Sequence, residues 1–179
     1  MSATQDRMKV GLDMPLDNRT GLGWKELRDI AMAAEDPGFD SIWGDDHLLY
    51  YYEGNAEPNG NRESWAMLTA IAAHTKTVEL GHLVLGMGFR NPALLAKIAD
   101  TVDEISKGRL ILGVGAGYHK REYTAFGSPT TTALSGSRKR CRSFTACCAT
   151  AISTSRVTFI RPATASSDPV AAGPRARRS

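Results

Sequence analysis

The sequence predicts an α/β fold built from parallel βα units, and three observations carry that reading. Short apolar runs at residues 9–13, 39–43, 78–85 and 109–114 alternate with stretches of helical periodicity. Glycine, proline or polar turns punctuate the alternation. The last run, RLILGV, is apolar enough to be buried on both faces, as a parallel strand is. Four strands in series, each followed by a helical segment, fit either an open doubly wound sheet or part of an eight-stranded barrel. In both, ligands sit at the carboxyl ends of the strands.

The elements follow in order. Residues 9–13 (KVGLD) form a short strand. A helix over 24–35 presents Leu27, Ile30, Ala31 and Ala34 on one face and stops at Pro37-Gly38. Residues 39–43 (FDSIW) form a buried strand that runs into the acidic turn Gly44-Asp45-Asp46-His47. The stretch 48–61 is long for a connection, and long loops in compact domains are often functional. A helix over 64–74 presents Trp65, Leu68, Ile71 and Ala72. After the strand 78–85 comes the best-specified helix. Asn91 caps it, Pro92 suits its first turn, Leu94, Leu95, Ile98, Val102 and Ile105 form its stripe, and Gly108 ends it. The fourth strand, 109–114, runs into Gly115-Ala116-Gly117-Tyr118.

The strand ends hold the candidate chemistry. Asp46 beside His47 joins a carboxylate to an imidazole, a pairing suited to proton transfer near neutral pH and equally to a solvated turn. Gly86 and Gly88 let backbone approach a ligand closely, and Arg90 is free either to pair with an anion or to stay in solvent. The Gly113–Gly117 stretch is glycine-rich, but its spacing is not the dinucleotide fingerprint. Glu122 reads as the exposed first turn of a helix, and His74 and His82 as ordinary core-edge or surface histidines. Cys141, Cys147 and Cys148 fit no disulfide framework and no metal-ligand spacing, so no metal is assigned.

Taken together, GFDSIWGDDH followed by RNPALLAKIADTVDEISKGRLILGVGAGYHKREYTAFG resembles the bacterial luciferase-like monooxygenase family, in its coenzyme F420-dependent branch. The resemblance covers about residues 8–127. It implies the N-terminal half of a TIM (β/α)8 barrel, four of eight βα units. It implies hydride transfer or monooxygenation of a small organic substrate, with the deazaflavin coenzyme F420 favoured and FMN the alternative. By the family pattern His47 is the proton acceptor during hydride transfer, oriented by Asp46, which also faces the cofactor ring. Gly86, Met87, Gly88 and Asn91 match the cofactor-lining segment after the third strand, where a non-proline cis peptide backs the ring. Gly115, Ala116, Gly117 and Tyr118 match the lining at the fourth strand. Asp36-Pro37 departs from the usual run before GFD.

Past Gly127 the pattern stops. Residues 1–123 carry 13 basic and 18 acidic side chains, a net of −5, whereas 124–179 carry 9 basic and one acidic, a net of +8. Serine, threonine and alanine fill 26 of the last 52 positions, and all three cysteines fall there. Read one base out of frame with free codon choice, residues 137–156 can give EEALQIIHGLLRDGHIDFE, an amphipathic helix where the actual text has no apolar period. The expected organisation is therefore a half barrel over 1–127 and an irregular, out-of-frame, disordered basic tail over 128–179. The rival is an α/β binding module with a nucleic-acid-binding tail. Scattered basic residues and two phenylalanines argue against it.

No apolar run reaches the roughly 18 residues of a membrane span, and the N-terminus has no apolar signal region, so the expectation is a cytoplasmic protein. A half barrel exposes sheet edges and uncovered apolar inner faces. The further expectations are dimerisation or aggregation through those edges and an enzyme impaired by truncation, or a fragment with no function of its own.

Overall fold

The computed structural model describes residues 7–36, 38–52, 54 and 57–128, and the backbone of 156–159. Pro37, read above as part of a helix stop, and most of the basic tail lie outside the described residues. The strands of the main sheet are β1 (Gly11–Asp13), β2 (Ser41–Gly44), β5 (Glu79–His82), β6 (Leu85–Gly86), β7 (Leu110–Gly115) and β8 (Arg156–Phe159). Between β2 and β5, β3 (Leu49–Tyr50) and β4 (Asn59–Gly60) form a separate antiparallel ribbon, so the stretch read as a loop has structure of its own.

Every pairing in the main sheet is parallel. β1 pairs β2, β2 pairs β5, and β5 and β6 both pair one side of β7. Its other partner is β8. Neighbours in the sheet thus follow chain order without reversal. A doubly wound sheet reverses its order at a switch point and a barrel does not, so the order decides for the barrel. The strand read as 78–85 is divided into β5 and β6, and the Leu83–Val84 peptide between them is cis. β8 supplies a fifth strand inside the segment for which the sequence predicts no regular structure.

Three helices, α1 (Trp24–Glu35), α2 (Ser64–His74) and α3 (Pro92–Ser106), form the core with one face of the sheet. Leu27, Ala31 and Ala34 of α1 and Trp65, Leu68, Ile71 and Ala72 of α2 are buried against Ile42, Leu80, Leu110, Leu112 and Val114. On α3 the buried side is rotated from the predicted stripe. Leu95, Ala96, Ala99 and Val102 are inside, whereas Leu94 is 57% and Ile105 40% exposed. Small alanines let the helix sit close to its neighbours, so the packed face is chosen by fit rather than by the largest apolar side chains. Asn91 Oδ1 accepts from Ala93 N and Leu94 N, and the C-terminus closes through Lys107 (φ 59°) and Gly108 (φ 81°), both left-handed.

On the opposite face of the sheet one indole covers two glycines. A Cβ on Gly11 would fall 2.6 Å from Trp43 Nε1, and one on Gly81 2.6 Å from Trp43 Cζ3. The indole therefore lies across both glycines, and its Nε1 donates to Ser41 Oγ at 2.8 Å. At the amino ends of the strands, Arg109 donates to the carbonyls of Ala72, Thr75 and Val78, tying the end of α2 to β7. No helix among the described residues is long and apolar enough to cross a membrane.

Candidate active site

The carboxyl ends of β2, β6 and β7 meet at His47. The last helix among the described residues, α4 (Lys120–Ala125), follows β7 after a four-residue turn and carries Glu122. Glu122 is 1% exposed, against the reading of it as a solvated first-turn residue. One carboxylate oxygen accepts from Leu48 N and from Leu49 N, the latter at 3.1 Å. The other lies 3.1 Å from His47 Nδ1. Leu48 lies between β2 and β3, and Leu49 opens β3. A buried amide without an acceptor is costly, and the carboxylate of α4 satisfies both. The hydrogen bond that the Glu122 carboxylate accepts from the ring raises the His47 pKa above its ordinary 6.5, and burial opposes it.

Asp46, expected to orient His47, is 5% exposed and makes its hydrogen bonds to other residues. Ser64 Oγ donates to it at 2.6 Å, Gly86 N at 2.8 Å, and Arg90 through both terminal nitrogens at 2.6 and 2.8 Å. Successive residues leaving a strand point opposite ways, so His47 turns to α4 while Asp46 turns to α2 and β6. Arg90 is neither in solvent nor free for a ligand. It bridges Asp46 and Glu63, and Glu63 in turn caps α2 by accepting from Ala66 N. Behind it His82 is fully buried with both ring nitrogens unpartnered, its ring 4.5 Å from that of Trp65. Burial pushes its pKa down to about 4.

The glycines read as room for a ligand are occupied by the protein itself. A Cβ on Gly88 would strike the Tyr123 ring at Cε1, and one on Gly117 the Tyr123 hydroxyl. Tyr123 is buried between them and donates to Ala116 O at 2.8 Å. A Cβ on Gly86 would meet the Phe89 ring at 2.8 Å, and one on Gly115 would meet Val84 Cγ2 at 2.5 Å. Met87 is buried, and Asn91 spends its side chain on the helix cap. The cis peptide lies at Leu83–Val84, three residues before the expected segment, where the chain crosses from β5 to β6.

What faces outward is an aromatic and apolar rim. Tyr118 is 73% and Leu83 56% exposed, and Leu83 N donates to Gly44 O at 2.9 Å. The Tyr118 ring stands 5.7 Å from that of His47, edge to face, and Tyr50 packs 4.9 Å from His47 on another side. Asp45, beside them, accepts from Asn61 Nδ2, and burial raises its pKa.

Comparisons with known proteins bear on this arrangement. Residues 8–174 match the family described as luciferase-like monooxygenase, a match that runs beyond the break expected at residue 127. The F420-dependent glucose-6-phosphate dehydrogenase of Amycolatopsis mediterranei is 39% identical over 124 residues, 67% of this chain and 34% of that protein. The 5,10-methylenetetrahydromethanopterin reductase of Archaeoglobus fulgidus is 37% identical over 110 residues, 62% of this chain and 29% of that protein. Among solved structures, an F420-dependent secondary alcohol dehydrogenase in complex with an F420-acetone adduct matches with a TM-score of 0.65 at 25% identity, over 78% of this chain and 41% of that one. The chain spans about a third of the length of the curated relatives it matches.

Proposed function

The chain belongs to the luciferase-like monooxygenase family, and on that footing we propose that its strand-end site serves an oxidoreductase that uses coenzyme F420, in preference to FMN, on a small organic substrate. The observation that carries the reading is the half-buried His47 imidazole, held through Nδ1 by a buried carboxylate at the carboxyl edge of a parallel sheet. The F420-dependent relatives support the cofactor. The rim fits it: the exposed Tyr118 ring, 5.7 Å from that of His47, offers an aromatic surface suited to a flat ring.

When bound, the deazaflavin or flavin supplies the ring that exchanges a hydride with the substrate. The chain's own residues supply the proton path. With Nδ1 engaged by Glu122, His47 Nε2 is the atom left to take a proton from, or return it to, a substrate hydroxyl. Glu122 fixes the ring because Leu48 N and Leu49 N fix Glu122. Asp46 acts one step back. Its bonds to Gly86 N and Arg90 hold the start of the β6–α3 segment against the end of β2.

Fluorescence titration of the full chain with coenzyme F420 and then FMN tests the proposal. Saturable binding is expected, tighter for coenzyme F420, and weakened by Tyr118→Ala. No saturable signal with either cofactor overturns the proposal and leaves the alternative of a non-functional fragment.

A further inference from the structure

His119 is unused by the reaction proposed above, yet it is aimed at the same carboxylate. Its Nδ1 is enclosed and has no hydrogen-bond partner. It lies 3.9 Å from the Glu122 oxygen that is itself 3.1 Å from His47 Nδ1. One ligand atom from each of His47, His119 and Glu122 lies within 4.8 Å of the other two. Ligands at about 2.0–2.2 Å around a tetrahedral ion stand roughly 3.3–3.6 Å apart, and the two distances bracket that spacing. Buried polar atoms without partners are rare and call for a cause. An ion at the centre of this triangle provides one.

We propose that His47, His119 and Glu122 form a binding site for a divalent transition metal of the zinc class. Two imidazoles and one carboxylate suit zinc or cobalt, whereas calcium and magnesium demand more oxygen ligands. The support around the triangle is already in place. The second Glu122 oxygen is anchored by Leu48 N and Leu49 N, which aims the first at the centre. On binding, the His47–Glu122 hydrogen bond is exchanged for two bonds to the ion. The Nδ1 proton moves to Nε2 or leaves to solvent. The neutral ring then carries its proton on Nε2 and accepts none there, so an ion in this site opposes the proton role of His47. The pattern is invisible to spacing rules because its ligands come from positions 47, 119 and 122, on two different elements.

The test uses the full chain without any flavin or deazaflavin, so its outcome is separate from that of the cofactor titration. Cys141, Cys147 and Cys148 are changed to serine so that thiolates do not take the ion. Cobalt(II) is added and its visible absorption followed, then zinc is used to displace it. One cobalt per chain is expected, with four-coordinate intensity. Affinity is expected to fall about tenfold or more in His119→Gln and to stay unchanged in His74→Gln, whose exposed ring lies outside the triangle. Absence of saturable absorption overturns the proposal, as does equal affinity in the two variants. Zinc added to the same protein with native His119 gives a reading independent of any histidine variant. The imidazole NMR signals of His47 and His119 should shift together while those of His74 and His82 stay put. Any other set of shifted histidines overturns it.

Discussion

Changing Arg90 to leucine tests the buried charge pair behind the site. The Arg90 side chain is 12% exposed and that of Asp46 1%. In the variant Asp46 keeps Ser64 Oγ and Gly86 N as donors but loses its only counter-charge among its bonded partners. Breaking a buried pair from one side costs about 3–5 kcal/mol, because a charge stays behind in low dielectric. The Arg90–Glu63 contact adds little, since Glu63 is 47% exposed and such pairs contribute under about 1 kcal/mol. Against a domain stability of about 5–15 kcal/mol, the loss is a large share. In urea, followed by circular dichroism, a slope of about 2 kcal/mol per molar converts it to a midpoint lower by roughly 1.5–2.5 M. The double variant Asp46→Asn/Arg90→Leu should cost less than the sum of the singles, because neither charge is left alone. A loss below about 1 kcal/mol in Arg90→Leu, or strict additivity in the cycle, refutes the reasoning.

Other outcomes follow from the same structure. His82 is neutral when folded, with a pKa of about 4, and takes up a proton near 6.5 when unfolded. Stability should therefore fall as pH drops from 6.5 towards 4, by about 1.4 kcal/mol per unit and ~3 kcal/mol in all; urea curves at several pH values should lose that slope in His82→Leu. Gly117→Ala should cost more than Gly21→Ala. Both sit at positive φ, which costs about 1 kcal/mol, but only at Gly117 does the Cβ strike Tyr123, adding about 1–3 kcal/mol, and equal denaturation midpoints would contradict this. Sequencing the gene across codons 120–145 is expected to show a one-base change near codon 127 that restores the helix read out of frame; bases that stand as read would make 128–179 a genuine segment.

The helices were legible because periodicity and caps are local. Trp24–Glu35 and Ser64–His74 match the predicted spans, and Asn91 caps α3 as expected. From the strand–helix alternation alone barrel order was one of two readings, since no single strand records its neighbours; the family resemblance chose the barrel, and the strand pairing agrees. The site was legible in position and not in wiring. His47 stands where the strand-end rule places it, but the carboxylate that holds it lies 75 residues away. Glu122 looked solvated because a glutamate at the start of a short helix ordinarily is, and the amides it satisfies belong to another strand end. Arg90 escaped for the same reason: its partners come from β2 and the cap of α2. At Gly86, Gly88, Gly115 and Gly117, which the resemblance matches to cofactor-lining backbone, the rings of Phe89 and Tyr123 and the side chain of Val84 stand where a Cβ would go, and no local pattern records that.

On the proposed reading Glu122, rather than Asp46, sets the proton on His47. Nitrogen-15 NMR of the His47 imidazole measures this directly, in the native chain and in Glu122→Gln and Asp46→Asn. A hydrogen-bonded proton on Nδ1 is expected in the native chain, retained in Asp46→Asn and lost in Glu122→Gln. A His47 signal that follows Asp46 and ignores Glu122 would contradict it.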